Sequence, residues 1–110
     1  MGYIDLFKKK EEESATLKAK ALQETERLAS LLKEKFEFDT LYLTGSLIRE
    51  KGFSRHSDID FVIKGLKIES FFKAFSLLIS KSTFHVDLKP YEELSEKCQC
   101  LIEKEGRLLR

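Results

Sequence analysis

The stretch Ser57-Asp58-Ile59-Asp60-Phe61-Val62-Ile63 decides how this chain reads. Ile59 and the run from Phe61 to Ile63 are β-branched or aromatic, the composition of a buried strand, and Lys64-Gly65 closes it. Residues two apart on a strand face the same side, so Asp58 and Asp60 are expected to project together. Two like charges held that close repel each other unless a cation lies between them. Leaving them uncompensated beside an apolar run is also costly. A divalent metal ion resolves both problems.

Two neighbouring stretches extend the pattern. Phe84-His85-Val86-Asp87-Leu88 reads as a second short strand with one acid in an apolar setting, stopped by Pro90. If it lies beside the first, Asp58, Asp60 and Asp87 converge, and three carboxylates suit a hard ion such as Mg2+ or Mn2+. Upstream, Leu41-Tyr42-Leu43-Thr44 reads as a strand that ends abruptly at Gly45-Ser46. A short helix over Leu47 to Lys51 is expected next, with Ser46 as its N-cap. Free N–H groups at a helix start attract anions. Gly45 would let a phosphate approach the main chain, Ser46 would add a hydroxyl, and Arg49 would bend toward the same phosphates.

The remaining chain supplies helices. Residues 8–35 show an apolar stripe of Leu17, Ala21, Leu28, Leu31, Leu32 and Phe36 behind a charged start, Lys8 to Glu13, that reads as a solvated face. Glu69 to Ser80 reads as an amphipathic helix burying Phe71, Phe72, Phe75, Leu78 and Ile79. Tyr91 to Leu109 reads as helix in two pieces, with Gly106 as the stop. Strands alternating with helices predict an α/β (α+β) fold, a small mixed sheet backed by helices with a long N-terminal helix. The 110 residues suit a single domain, an N-terminal helix over 1–36 followed by a motif-bearing core over 40–109.

Composition bounds the function. A net charge of +1 argues against a protein that coats extended nucleic acid, which needs a basic excess. No stretch approaches the ~20 apolar residues of a membrane span, and the start MGYIDLFKKKEEES is too charged for a secretory signal, so a cytoplasmic location is expected. Cys98 and Cys100, two apart in a helical segment, lack the spacing of a metal clip and read as structural.

Taken together, Leu43-Thr44-Gly45-Ser46, Arg49, Ser57-Asp58-Ile59-Asp60 and Val86-Asp87-Leu88 resemble the DNA polymerase beta nucleotidyltransferase superfamily. Its pattern is Gly-Ser, a spacer of about ten residues, Asp-x-Asp, and a third acid on a later strand. The small size and the ending after Asp87 are most similar to its minimal nucleotidyltransferase (MNT) group. The resemblance covers about residues 40 to 109. It implies a metal-dependent nucleotidyltransferase, transferring a nucleoside monophosphate, AMP from ATP, to an acceptor hydroxyl with pyrophosphate leaving. Asp58 and Asp60 would hold both ions. Asp87 would ligate the metal at the nucleophile, and Gly45, Ser46, Arg49 and Ser57 would hold the nucleotide. Minimal members pair with small helical HEPN proteins in toxin–antitoxin modules, so such a partner carrying the acceptor, or a homo-oligomer, is implied.

Parts of the chain depart from the pattern. The long helix before residue 36 is no part of the motif, and the segment Glu50 to His56 is basic. His85, two residues before Asp87, is expected on the same side and reads most simply as a packed or hydrogen-bonded group. Two other functions compete: a catalytically weak or inactive nucleotide-binding protein that neutralises a partner by docking, and a structural metal-binding domain. The intact set of acids speaks against the first, the Gly-Ser-x-x-Arg segment against the second.

Overall fold

The computed structural model describes the backbone of residues 2–47 and 57–110 and the side chains of residues 16–45, 47 and 57–110. Helix α1, Gly2–Lys35, leads into strand β1, Thr40–Thr44, and a 3₁₀ turn over Gly45–Leu47. Strand β2, Ile59–Lys64, helix α2, Ile68–Lys81, and strand β3, Val86–Pro90, follow. A second 3₁₀ turn, Tyr91–Glu93, helix α3, Glu96–Glu105, and a two-residue strand β4, Arg107–Leu108, complete the chain. The sheet order is β3-β2-β1-β4. β1 runs antiparallel to β2 and β4, while β2 and β3 are parallel and joined through α2. This is the expected mixed sheet, widened by β4. Among the described residues, no helix is long and apolar enough to cross a membrane.

Alternation along the strands builds the core. Leu41 and Leu43 of β1, Ile59, Phe61 and Ile63 of β2 and Leu88 of β3 are buried in one cluster. α1 lays Ala21, Leu28, Ala29 and Leu32 against it, and α2 adds Ala74 and Leu78. Residues 21, 25, 28 and 32 step by four, three and four, which keeps them on one helix face. The buried hydroxyl of Thr25 stays satisfied by donating to the Ala21 carbonyl at 2.8 Å. Burial of a leucine side chain is worth ~1.5–3 kcal/mol. Packing of Leu28 and Leu32 therefore outweighs any propensity difference in fixing this half of α1.

The opposite face of the sheet is covered at its centre. Tyr91 is buried there, stacks on Tyr42 with ring centroids 6.4 Å apart, and takes the Lys64 ammonium over its ring at 4.6 Å. Its hydroxyl donates to Glu103 Oε1 at 2.6 Å, and this carboxylate pushes the phenol pKa up to about 12. The Gln99 side chain donates to the Tyr91 carbonyl, which binds α3 to the same turn.

Several sequence expectations need correction. α1 begins at Gly2, not at residue 8. α2 buries Leu78 and packs Phe71 and Phe75 against the core as expected, but it also turns Ala74 inward and leaves Phe72 and Ile79 exposed. β3 begins at Val86 instead of Phe84, because the Ser82 hydroxyl accepts from the Phe84 N–H and holds a turn there. The segment after α3 is strand, not helix. Gly106 ends α3 as expected, but by closeness: a Cβ on it would lie 2.5 Å from the Ile102 carbonyl oxygen. Cys98 and Cys100 are free thiols exposed on α3, where they fill no core.

Candidate functional site

Strand register assembles the site. Thr44 of β1 lies opposite Asp60 of β2, and Asp60 lies opposite Asp87 of β3. Paired residues in adjacent strands point to the same face of a sheet. Ile59, Phe61 and Ile63 take the core face, so Thr44, Asp60 and Asp87 form a row across three strands on the other. Asp58 stands one residue before β2, exposed, where the expectation had it on the strand itself. The Ile59 N–H donates to the His85 carbonyl at 2.8 Å, locking the start of β2 to the residue before β3. Thr44, which pairs with Asp60, carried no signal of its own in the sequence.

Gly45 follows Thr44 directly and has φ +78°, in the left-handed region that glycine tolerates. A Cβ built there would lie 2.1 Å from Asp60 Oδ2. The group that approaches this glycine is thus the Asp60 carboxylate. Beside the expected role toward a phosphate, Gly45 meets a closer requirement: it makes room for the central acid. The turn also begins at Gly45, one residue before the expected Ser46 cap. Arg49, the helix expected up to Lys51 and the basic segment 50–56 lie outside the described residues, as does the Ser46 side chain. Ser57 is described and half-buried, next to Asp58.

A cavity of about 460 Å³ opens beside the row. Asp58 and Asp87 stand in its wall with His85, Ser82 and Thr83, and Phe75, Ile79, Phe84 and Val86 supply an apolar side. His85 is exposed and shares this wall with Asp87, as the two-residue spacing predicted. Asp60 is not part of the wall. The cavity therefore gathers two of the three acids, and the register brings the third alongside.

Two further features were not anticipated. Lys89 places its ammonium 3.5 Å from Asp87 Oδ2, with both side chains partly exposed, a pair worth ~0–1 kcal/mol. The signal was present in the alternation Asp87-x-Lys89. Glu24 of α1 is the second, with its side chain 10% exposed. Its carboxylate accepts from Arg27 Nε at 2.5 Å, from the Thr83 N–H at 3.2 Å, and from the Ser82 and Thr83 hydroxyls at 3.4 Å. The Arg27 guanidinium also donates to the Lys81 carbonyl. These bonds, the Arg27 bond foremost, hold the Glu24 pKa below its ordinary value. The long helix thus fastens the end of α2 and the turn that forms the cavity wall and leads to Asp87.

Oxygen donors on one sheet face have the right chemistry for a hard divalent ion. Among the described residues, however, no group of three or more His, Cys, Asp or Glu side chains is gathered closely enough to bind a metal as it stands. Asp87 is engaged by Lys89 and the Asp60 carboxylate lies against Gly45. The donor types fit such an ion.

No protein-family model matches the sequence, and no curated protein matches it significantly. Solved structures do resemble the fold. A toxin–antitoxin crystal structure with AMP-PNP superposes with a TM-score of 0.63 at 22% identity, covering 79% of this chain and 72% of that one. The toxin–antitoxin pair MntA-HepT gives 0.59 at 21% identity, over 82% and 71%. A mutant of such a pair, with two Asp→Glu substitutions two positions apart, gives 0.62 at 19% identity, over 76% and 70%. With its mixed sheet, its long first helix and its acid row, the chain has a minimal-nucleotidyltransferase-like fold.

Proposed function

We propose that this chain is a metal-dependent nucleotidyltransferase that transfers AMP from ATP to a hydroxyl of a partner protein, as the antitoxin-like member of a two-protein module. The observation that carries the reading is the row Thr44, Asp60 and Asp87, with Asp58 beside it, at the sheet end where the Gly45 turn sits. The similar structures support it: one holds AMP-PNP, all are toxin–antitoxin structures, and one carries paired Asp substitutions at the spacing of Asp58 and Asp60.

Asp58, Asp60 and Asp87 would hold Mg2+ or Mn2+. Bound there, the ions would supply charge neutralisation for the triphosphate and a more acidic attacking hydroxyl. Gly45, Ser46, Arg49 and Ser57 would hold the nucleotide. Asp87, at the cavity wall, would orient the acceptor hydroxyl and receive its proton as the oxygen bonds to the α-phosphorus and pyrophosphate leaves. His85, on the same wall, faces the space an acceptor would enter. The 110 residues would act as one domain in the cytoplasm, completed by a HEPN-type helical protein or by a second copy.

Calorimetry tests this reading. Asp58→Asn and Asp60→Asn should each abolish Mg2+–ATP binding while the fold persists. Unchanged affinity in both variants would remove the metal assignment. One observation favours a second reading, a nucleotide-binding protein that acts by docking alone: among the described residues no three acids are close enough to hold a metal ion as they stand. Wild-type protein that binds Mg2+–ATP yet transfers no label to any acceptor would select it.

A further inference from the structure

The cavity that holds Asp58 and Asp87 also holds two hydroxyls of this chain, on Ser82 and Thr83. Transfer of a nucleoside monophosphate consumes a hydroxyl, so both are chemically competent to receive one. Their surroundings differ. Ser82 is half-buried, and its oxygen accepts from the Phe84 N–H at 3.0 Å, the bond that holds the turn before β3. An ester on that oxygen would disturb the turn. Thr83 is exposed in the same wall. Its N–H donates to Glu24 Oε2 at 3.2 Å and its hydroxyl donates to the same oxygen at 3.4 Å. The backbone bond thus fixes a carboxylate beside the hydroxyl. Arg27 donates to Glu24 Oε1 at 2.5 Å and is the largest cause that holds the Glu24 pKa below its ordinary value, so the carboxylate is ionised at neutral pH. A hydroxyl on a cavity wall with an ionised carboxylate held next to it is the arrangement of an activated nucleophile. Such base contacts are often long before substrate binds and shorten in the reacting complex.

We infer that Thr83 is an acceptor within the chain itself: given a nucleoside triphosphate, the domain transfers the monophosphate to its own Thr83 Oγ1. The inference goes beyond transfer to a partner and rests on the nucleotidyltransferase reading for the triphosphate site. Thr83 Oγ1 bonds to the α-phosphorus, the bond from that phosphorus to the oxygen shared with the β-phosphorus breaks, and pyrophosphate leaves with the electron pair. The hydroxyl proton passes to Glu24 Oε2 and from there to water. No group is oxidised or reduced. Asp58, Asp87 and Thr83 line one cavity of one chain, so the reaction is intramolecular and needs no second protein. The product is a phosphodiester on the cavity wall, and the modified chain carries its nucleotide beside Asp58 and Asp87.

The full chain is incubated with Mg2+ and ATP labelled in the α-phosphate, with no other protein present. The expected result is label retained on the chain, which tandem mass spectrometry places on Thr83 as one adenylate. The rate constant should not depend on chain concentration, and an Asp58→Asn chain mixed with wild type should stay unlabelled. Thr83→Val should lose the label and Thr83→Ser should keep it, both with the wild-type melting temperature and Mg2+–ATP affinity. Glu24→Gln, measured where it is fully folded, should slow labelling ~100-fold. A second readout involves no transfer. Mg2+ with α,β-methylene-ATP, which cannot release pyrophosphate, should shift the Thr83 methyl resonance and leave those of Leu101 on α3 unmoved. A chain that binds Mg2+–ATP yet takes no label, label at a residue other than Thr83, or label on the Asp58→Asn chain would each overturn the inference and leave the transferase reading standing. A chain that binds no Mg2+–ATP would overturn both.

Discussion

Gly45→Ala tests the contact on which the site geometry depends. The new methyl group would meet two obstacles. The backbone at φ +78° costs a residue with a Cβ ~1–2 kcal/mol. The Cβ would also lie 2.1 Å from Asp60 Oδ2, so one of them must move. Asp60 is held in register on both sides, by Thr44 and by Asp87, and its main chain has little freedom. Relief must come from the carboxylate leaving its position, at ~0.5–1.5 kcal/mol for a displaced rotamer. The total is ~2–3 kcal/mol, or a fall in melting temperature of ~10–15 °C for a chain of this size. A double-mutant cycle separates the two parts. In an Asp60→Ala background the clash is gone, and Gly45→Ala should cost only its backbone share, leaving a coupling of ~1 kcal/mol between the sites. Denaturant unfolding of the four proteins measures it. Calorimetry on Gly45→Ala should show Mg2+–ATP affinity reduced about tenfold or more, since the central acid is displaced. Equal costs in both backgrounds, within ~0.3 kcal/mol, would refute the contact between Gly45 and Asp60.

Glu24→Gln should lower stability by ~1–2 kcal/mol by weakening charge-assisted bonds to Arg27, Ser82 and Thr83, read by chemical denaturation. The folded-state pKa of Glu24 lies below the ordinary 4.5, so its stabilisation is fully present above that value and lost as pH falls through the lower one. The wild type should therefore lose its excess stability over Glu24→Gln in that acid window; a constant difference would exclude the charge as the cause. Asp87→Asn should impair transfer much more than Mg2+–ATP binding, and full transfer activity would take Asp87 out of the mechanism. Gly106→Ala, with its Cβ 2.5 Å from the Ile102 carbonyl, should cost ~1–2 kcal/mol and loosen β4, seen as faster amide exchange at Leu109, whose N–H donates to the Leu41 carbonyl.

The parts of this protein that were legible in the sequence are those whose signals are local. Asp58-Ile59-Asp60, the apolar run after it and the break at Gly45 carry their meaning within a few residues, and the structure places them as strand, acid row and turn. The buried face of α2 was legible only in part: Phe71, Phe75 and Leu78 pack on the core, while Phe72 and Ile79 stand exposed and Ala74 takes an inner position. Phe71, Phe72, Phe75, Leu77, Leu78 and Ile79 surround much of the helix, and hydrophobicity alone selects the largest. The choice is made where the helix meets the sheet, at Ala74 and Leu78. β4 was equally hidden: Arg107-Leu108 becomes strand because Tyr42 and Leu43 of β1 offer an edge to pair with. Glu24 looks like one more charge on a solvated helix until the chain brings Ser82 and Thr83 to it across 58 and 59 residues. Local patterns thus named the acids, while long-range packing decided what surrounds them.

The placement of those acids is a consequence of the core itself. β2 lies inside the sheet between β1 and β3, and its residues alternate strictly between Ile59, Phe61 and Ile63 on the core face and Asp60, Val62 and Lys64 on the other. A slip of one residue would turn Asp60 into the core and Phe61 out of it. Exposing Phe61 alone forfeits ~1.5–3 kcal/mol, and an unpaired carboxylate in an apolar core costs more. The same slip would unseat Ile59 and Ile63, so the penalties act together on a stability that totals only ~5–15 kcal/mol. No additional device is required to aim Asp60 at the row with Thr44 and Asp87. The hydrophobic residues between the acids set the register, and the register sets the site. Substitutions that keep the volume and burial of Ile59 and Phe61 should therefore preserve the acid geometry. Among the described residues of the site, Gly45 is the one whose backbone takes a positive φ.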